Sequence, residues 1–209
     1  MLQGMGVALT TWEVMDERAQ MIAILLDVFD AVGSAHCLIG GIAVGYHAQP
    51  RATVDVDMLV PTRMLDRIAE LLRARGYVVA EQRDMIRIYP SGVTPDEAEA
   101  VADLVGFESN PTLRAVAKAS EPATVLGREV RIATRGALVA AKFHAAVAPT
   151  RAVLDRQQDI VDMGRIIAKS WSPADAAVAL AIADTMYPGA REELARVIED
   201  HRHGRPVTL

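Results

Sequence analysis

Apolar residues recur at two different periods along this chain of 209 residues, and the change from one to the other divides it. Ile22, Leu25, Phe29 and Val32 fall on three-to-four spacing, which predicts a helix over 12–32 that Gly33-Ser34 ends. The run His36 to Ile39 predicts a short buried strand. Gly40-Gly41 follows at once, and Ile42 to His47 reads as one or two helical turns. From Thr53 to Val60 the pattern alternates, with Val54, Val56 and Met58 against Thr53, Asp55 and Asp57; this is the clearest strand. Met64, Leu65, Ile68, Leu71 and Leu72 give the next helix an apolar face up to Gly76.

Tyr77–Ala80, Met85–Tyr89 and Ala100–Phe107 predict three more strands, and Thr124–Ile132 a hairpin turning near Gly127. A short helix opens at Asn110-Pro111. Beyond Thr134, alanine-rich helical patterns run over 135–147, 151–169, 173–185 and 189–202. Strands thus gather in the first two thirds and helices in the last, which predicts an α+β fold. Residues 36–132 should form a mixed sheet of about five strands flanked by helices. The division expected is a core over 1–133 and a helical C-terminal lobe over 134–209.

Composition narrows the classes. Half of the residues are hydrophobic (51%) and the net charge is −5, so the chain can bury a core and is not of the disordered type. That charge argues against non-specific coating of DNA or RNA. Charge is unevenly spread: residues 111–169 carry ten Lys/Arg against five Asp/Glu, either a set of solvated helix faces or a wall toward an anionic substrate. The single cysteine, Cys37, excludes an internal disulfide and a cysteine-based zinc site. No apolar run reaches membrane-spanning length and no signal-peptide pattern opens the chain, so a cytoplasmic location is expected.

The candidate chemistry lies in LIGGIAVGYHAQPRATVDVDMLV, residues 38–60. Residues two apart on a strand share a face, so Asp55 and Asp57 set two carboxylates side by side between Val54, Val56 and Met58. Like charges so placed repel, and burial sharpens the repulsion; a divalent cation between them resolves it. Mg²⁺ is the fitting ion, with Mn²⁺ as the alternative, because hard ions take carboxylates together with phosphate oxygens. The plainer alternative is an edge strand with a wet polar face. Gly40-Gly41 at a strand-to-helix junction permits close approach to backbone, and the helix N-terminus offers N–H groups to an anion. Neither a Walker loop nor a dinucleotide fingerprint is present. Phosphate cradle and carboxylate pair together suit two-metal transfer of a phosphoryl or nucleotidyl group from a nucleoside triphosphate.

The order apolar-Gly-Gly, spacer, Asp-apolar-Asp-apolar resembles the DNA polymerase β-type nucleotidyltransferase superfamily. The fuller string is similar to its AbiEii abortive-infection toxin branch, through Gly40-Gly41-Ile42-Ala43, Arg51-Ala52-Thr53 and Lys142 in ALVAAKFHA. The resemblance implies a nucleotidyltransferase core with a helical lobe, and transfer of a nucleoside monophosphate from an NTP to an acceptor such as tRNA or another cellular molecule. It also implies a role as the toxin of a toxin–antitoxin or phage-defence system, with a cognate antitoxin as partner. A third carboxylate belongs on a neighbouring strand: Asp103, between Ala102 and Leu104, is the candidate, and Glu99 its rival. Gly40, Gly41, Arg51, Thr53 and Lys142 become candidates for the nucleotide phosphates. Asp159 and Asp162, with Arg156 and Arg165 nearby, read as a surface ion-pair ladder. Two alternatives stay open: a non-catalytic binding protein on the same fold, and a glycosyltransferase with an Asp-x-Asp metal site.

Overall fold

The computed structural model describes the backbone of residues 11–50 and 52–209, and the side chains of 17–50 and 52–209. Arg51 therefore lies outside the described residues. Among these the chain forms α1 (Thr11–Val32), β1 (Cys37–Leu38), α2 (Gly40–His47), β2 (Val56–Val60), a 3-10 turn (Thr62–Met64), α3 (Leu65–Ala74), β3 (Val78–Gln82), β4 (Met85–Tyr89) and β5 (Ala102–Gly106). Then come α4 (Pro111–Lys118), β6 (Ser120–Val125), β7 (Arg128–Ala133), α5 (Arg135–Ala146), α6 (Val153–Ser170), α7 (Pro173–Ala183) and α8 (Ala190–Arg202).

The strands join in one mixed sheet of seven, in the order β3-β4-β5-β2-β1-β7-β6. The expected α+β fold with a helical C-terminal part is what the chain adopts; the count of about five strands falls short. Both arms of the 120–133 hairpin join the sheet, and they add two strands at its edge beside β1. β2 lies between β5 (parallel) and β1 (antiparallel), so it is an interior strand and Asp57 does not sit on a wet edge.

Local chemistry explains the element ends. Asn110 caps α4 by accepting from the N–H groups of Thr112 and Leu113, with Pro111 at the first helical position. Ser172 and Asp175 form a reciprocal capping box on α7. α1 packs against α3, β2 and β7, whereas α2 packs on β2, α5 and α6. One hydrophobic core runs from Met21 and Ile22 of α1 through Met58, Leu59 and Leu104 of the sheet to Phe143, Ile166 and Ile198 of the C-terminal helices. No described helix is long and apolar enough to cross a membrane.

Candidate active site

Strand register builds the centre of the site. β2 and β5 run parallel with Asp57 opposite Asp103, so both side chains leave the same face of the sheet. Asp55 stands just before β2, in a bend, and its carboxylate still reaches the other two. Each of Asp55, Asp57 and Asp103 offers a carboxylate oxygen, and these oxygens all lie within 4.8 Å of one another. Asp103 is thus the third carboxylate of the cluster. Glu99 is exposed in the loop before β5 and stands outside it.

The bend that holds Asp55 is fixed by polar contacts. Its Oδ1 accepts the Thr53 hydroxyl at 2.8 Å, and the Thr53 carbonyl accepts from Arg18 Nη1 at 2.7 Å. These contacts explain why the strand begins at Val56 and not at Thr53. In this geometry the Thr53 hydroxyl is directed at Asp55.

α2 begins at Gly40, earlier than the Ile42 start read from the sequence, so its N-terminus sits directly on the carboxylates. Gly40 has φ +67, and a Cβ built on it would overlap the Asp57 carboxylate and lie 2.6 Å from the Asp57 Cβ. Only a residue without a side chain permits that approach. The Gly41 N–H donates to the Asp57 carboxylate. The Ile39 N–H donates to the Asp57 carbonyl at 2.9 Å.

Electrostatics mark the cluster as short of positive charge. Burial, then the Asp55 and Asp103 carboxylates, push the Asp57 carboxyl up to about 7, against the opposing pull of Lys142 and the Gly41 N–H. Burial also raises Asp103; Arg87 lowers it and Asp55 raises it. Asp103 Oδ1 is buried with no hydrogen-bond partner. Three converging carboxylates, one that resists ionising up to about neutral pH and one with an orphaned oxygen, form a donor set suited to a hard divalent cation.

Lys142 comes from α5, and its ammonium lies 2.8 Å from Asp159 Oδ1 and 3.0 Å from Asp162 Oδ2. The surface ladder expected for these acids is corrected here: Asp159 and Asp162 are 1% and 0% exposed. Arg151 also binds Asp159, and Gln158 donates to Asp162. The helical pattern showed two acids on one face of α6 but not that α5 covers that face with a lysine. Within the cation-rich stretch, Lys142, Arg151 and Arg165 engage acids of the same stretch, and Arg131 donates to Ser120; the excess of basic over acidic residues there is unchanged by these contacts. Arg87 is the site residue that sequence reading missed; its Nε lies 3.5 Å from Asp103 Oδ2. The run Met85–Tyr89 read only as a strand, and the β4–β5 register alone sets Arg87 opposite Asp103.

Two histidines near these elements make structural contacts. His47 Nε2 lies 2.7 Å from the Ala133 carbonyl, and His144 Nε2 accepts from the Asn110 amide at 3.2 Å. Beside the site, a largely apolar cavity of about 390 Å³ begins at Gly41 and Thr53 and is walled by Ile42, Tyr46, Pro50 and Leu126.

No family model matches the chain, and no curated protein matches it in sequence. Solved structures match it in fold. The chain is similar to an antigenic nucleotidyltransferase-like protein from Paracoccidioides brasiliensis, with 14% identity, a TM-score of 0.52, and 88% of this chain and 93% of that one covered. It is also similar to the antibiotic-resistance factor ANT(2″)-Ia in its solution structure, with 16% identity, a TM-score of 0.50, and 89% and 97% covered. At such identities the likeness is one of fold, and the fold this chain has is that of the nucleotidyltransferases.

Proposed function

We propose that this chain is a metal-dependent nucleotidyltransferase that moves a nucleoside monophosphate from an NTP to a hydroxyl acceptor and releases pyrophosphate. The observation that carries the reading is the convergence of Asp55, Asp57 and Asp103 beneath the N-terminus of α2, where Gly40 lets backbone touch Asp57. Asp55, Asp57 and Asp103 would hold Mg²⁺ or Mn²⁺, Asp103 with the oxygen that lacks a protein partner. Bound there, divalent ions supply charge stabilisation to the attacking and leaving oxygens.

The chain's own groups supply the rest. The N-terminal turn of α2 at Gly40 and Gly41 faces the phosphates, with Arg51 as a further phosphate ligand. Thr53 orients Asp55. The acceptor oxygen forms its bond to the α-phosphorus, the bond to the bridging oxygen breaks, and pyrophosphate departs with that electron pair. Asp103 takes the hydroxyl proton. Lys142, brought from the 134–209 lobe to the 1–133 core, balances negative charge near Asp57, on which it already acts. The cavity at Gly41 and Thr53 gives the flat ring face of a nucleobase a largely apolar wall beside the carboxylates.

The resemblance of residues 38–60 supports a toxin of the AbiEii kind, with an RNA acceptor and a cognate antitoxin. Incubation of the chain with Mg²⁺, each labelled NTP and total cellular RNA tests the reading. Mg²⁺-dependent label on an acceptor, lost in Asp57→Asn, is the expected result. Undiminished incorporation by Asp57→Asn refutes it, and nucleotide binding without transfer to any acceptor pool moves the weight to a binding protein on this fold.

A further inference from the structure

We infer that Arg87 is an acceptor-binding residue, and that the acceptor carries a phosphate close to its nucleophilic hydroxyl. The inference rests on the nucleotidyltransferase reading and deepens it. Asp57, Asp103 and Arg87 form one row across β2, β5 and β4, each directly opposite the next, so all three leave the same sheet face. Gly40 and the α2 N-terminus touch the row at its Asp57 end. Arg87 stands at the other end, beyond Asp103, and its side chain is 49% exposed.

That order matters because phosphoryl transfer is in line, with attacking and leaving oxygens on opposite sides of phosphorus. Phosphates leaving toward the α2 end place the incoming hydroxyl at the Asp103 end, next to Arg87. Magnitude speaks against a purely structural role. The single contact to Asp103 is long, at 3.5 Å, and comes from a half-exposed guanidinium, so it contributes little to stability. Meanwhile a guanidinium beside Asp103 opposes the binding of any cation by that carboxylate. An anion that meets the guanidinium removes this opposition and turns Arg87 from a competitor of the metal into an anchor for the substrate. A planar, permanently charged fork is the group that grips a phosphate in two bonds. The same cation repels an amine-rich acceptor.

Two sources offer this chemistry: the end of a polyribonucleotide, and a small sugar phosphate. The test measures binding of a labelled short oligoribonucleotide with a free 3′ hydroxyl to the full chain in Mg²⁺, with ribose 5-phosphate as competitor. Wild type, Arg87→Ala, Arg87→Lys and Arg202→Ala are compared. Arg202→Ala removes an equal charge from an exposed side chain on α8 and controls for general electrostatics. Arg87→Ala should weaken oligoribonucleotide binding by roughly tenfold or more beyond Arg202→Ala, the size of one charge-assisted contact. Arg87→Lys should recover part of that loss, and the affinity for Mg²⁺-NTP should not fall in any of them; in Arg87→Ala it should hold or rise, because the opposition to the metal at Asp103 is relieved. Displacement by ribose 5-phosphate in wild type but not in Arg87→Ala assigns the small phosphate; the same variant loss without displacement assigns the polynucleotide. Equal losses in Arg87→Ala and Arg202→Ala, an equal loss of NTP binding in Arg87→Ala, or no binding of either probe to wild type overturns the inference. Failure of wild type to bind Mg²⁺-NTP refutes the nucleotidyltransferase reading instead, and it is measured separately.

Discussion

Gly40 and Asp57 share one space: the backbone of the first residue of α2 lies where the Asp57 carboxylate leaves no room for a Cβ. This contact couples the double glycine to the carboxylates more tightly than their spacing of seventeen positions in the chain suggests. It also ties a helix N-terminus to the most buried acid of the cluster.

Gly40→Ala should therefore act in two ways. The left-handed backbone at φ +67 costs an alanine about 1–2 kcal/mol. The overlap must in addition displace Asp57. Gly33→Ala supplies the comparison, because Gly33 has φ +64 with nothing within 4 Å of a built Cβ. Denaturant melts should show a larger stability loss for Gly40→Ala than for Gly33→Ala, and transfer activity should vanish in the first alone. Equal losses would mean that Asp57 yields freely.

Asp57→Asn should change stability in a direction set by pH. The Asp57 carboxyl rises to about 7 in the folded chain from an ordinary 3.8, so the folded state holds a proton that the unfolded state releases in that interval. Its favourable contribution is complete below about 4 and is lost as pH rises through about 7. Without metal, the variant should exceed wild type in melting temperature at pH 8, and the gap should close toward pH 4. Mg²⁺ should raise the wild-type melting temperature at pH 8 and leave the variant nearly unmoved. A variant less stable than wild type at pH 8 without metal would contradict the repulsion on which the site's chemistry rests.

Lys142→Met should destabilise the chain strongly. It strips one cation from Asp159 and Asp162, whose side chains are 1% and 0% exposed, and leaves Arg151 on Asp159 and Arg165 and Gln158 on Asp162. Breaking a buried pair in this way costs on the order of 3 kcal/mol. Urea unfolding of Lys142→Met and of Lys142→Met combined with Asp159→Asn measures it, and the double variant should recover part of the loss. A cost near zero would show that the pair is as wet as a surface ladder.

The parts of this fold that were legible in the sequence are those set by local periodicity. Alternation placed β2, three-to-four spacing placed α1 and α3, and alanine-rich helical patterns placed the C-terminal helices, because these are properties of neighbouring residues in the chain. The Gly40-Gly41 and Asp55-Val56-Asp57 signals were legible for another reason: few arrangements need a bare backbone and paired acids so near one another. Long-range pairing was not legible. Nothing in the run Met85–Tyr89 says that Arg87 opposes Asp103, since register is set by contacts between strands distant in the chain. Nor does an i, i+3 acid pair on α6 announce that a lysine from α5 will cover it. The start of β2 was misread because Thr53 bonds Arg18 and Asp55 in place of a sheet partner.

Cys37 offers a probe of the whole assembly. It lies on β1, between β2 and β7, and is 0% exposed. Burial pushes its thiol up to about 12, against the weaker pull of Arg131 and Ser120. At pH 8 the native thiolate fraction is then on the order of 10⁻⁴, and the sulfur is shielded besides. Iodoacetamide should leave the native chain unmodified over the time in which denatured chain reacts fully, so that labelling follows the opening of the sheet. Because Asp57 is on the adjacent strand and its charge opposes folding at pH 8, Asp57→Asn should label more slowly than wild type without metal, and the difference should shrink at acid pH. Mg²⁺ should slow wild type toward the rate of the variant. Rapid native labelling would show that β1 opens without the rest of the sheet, and equal rates in the two proteins would separate the carboxylate repulsion from the stability of the core.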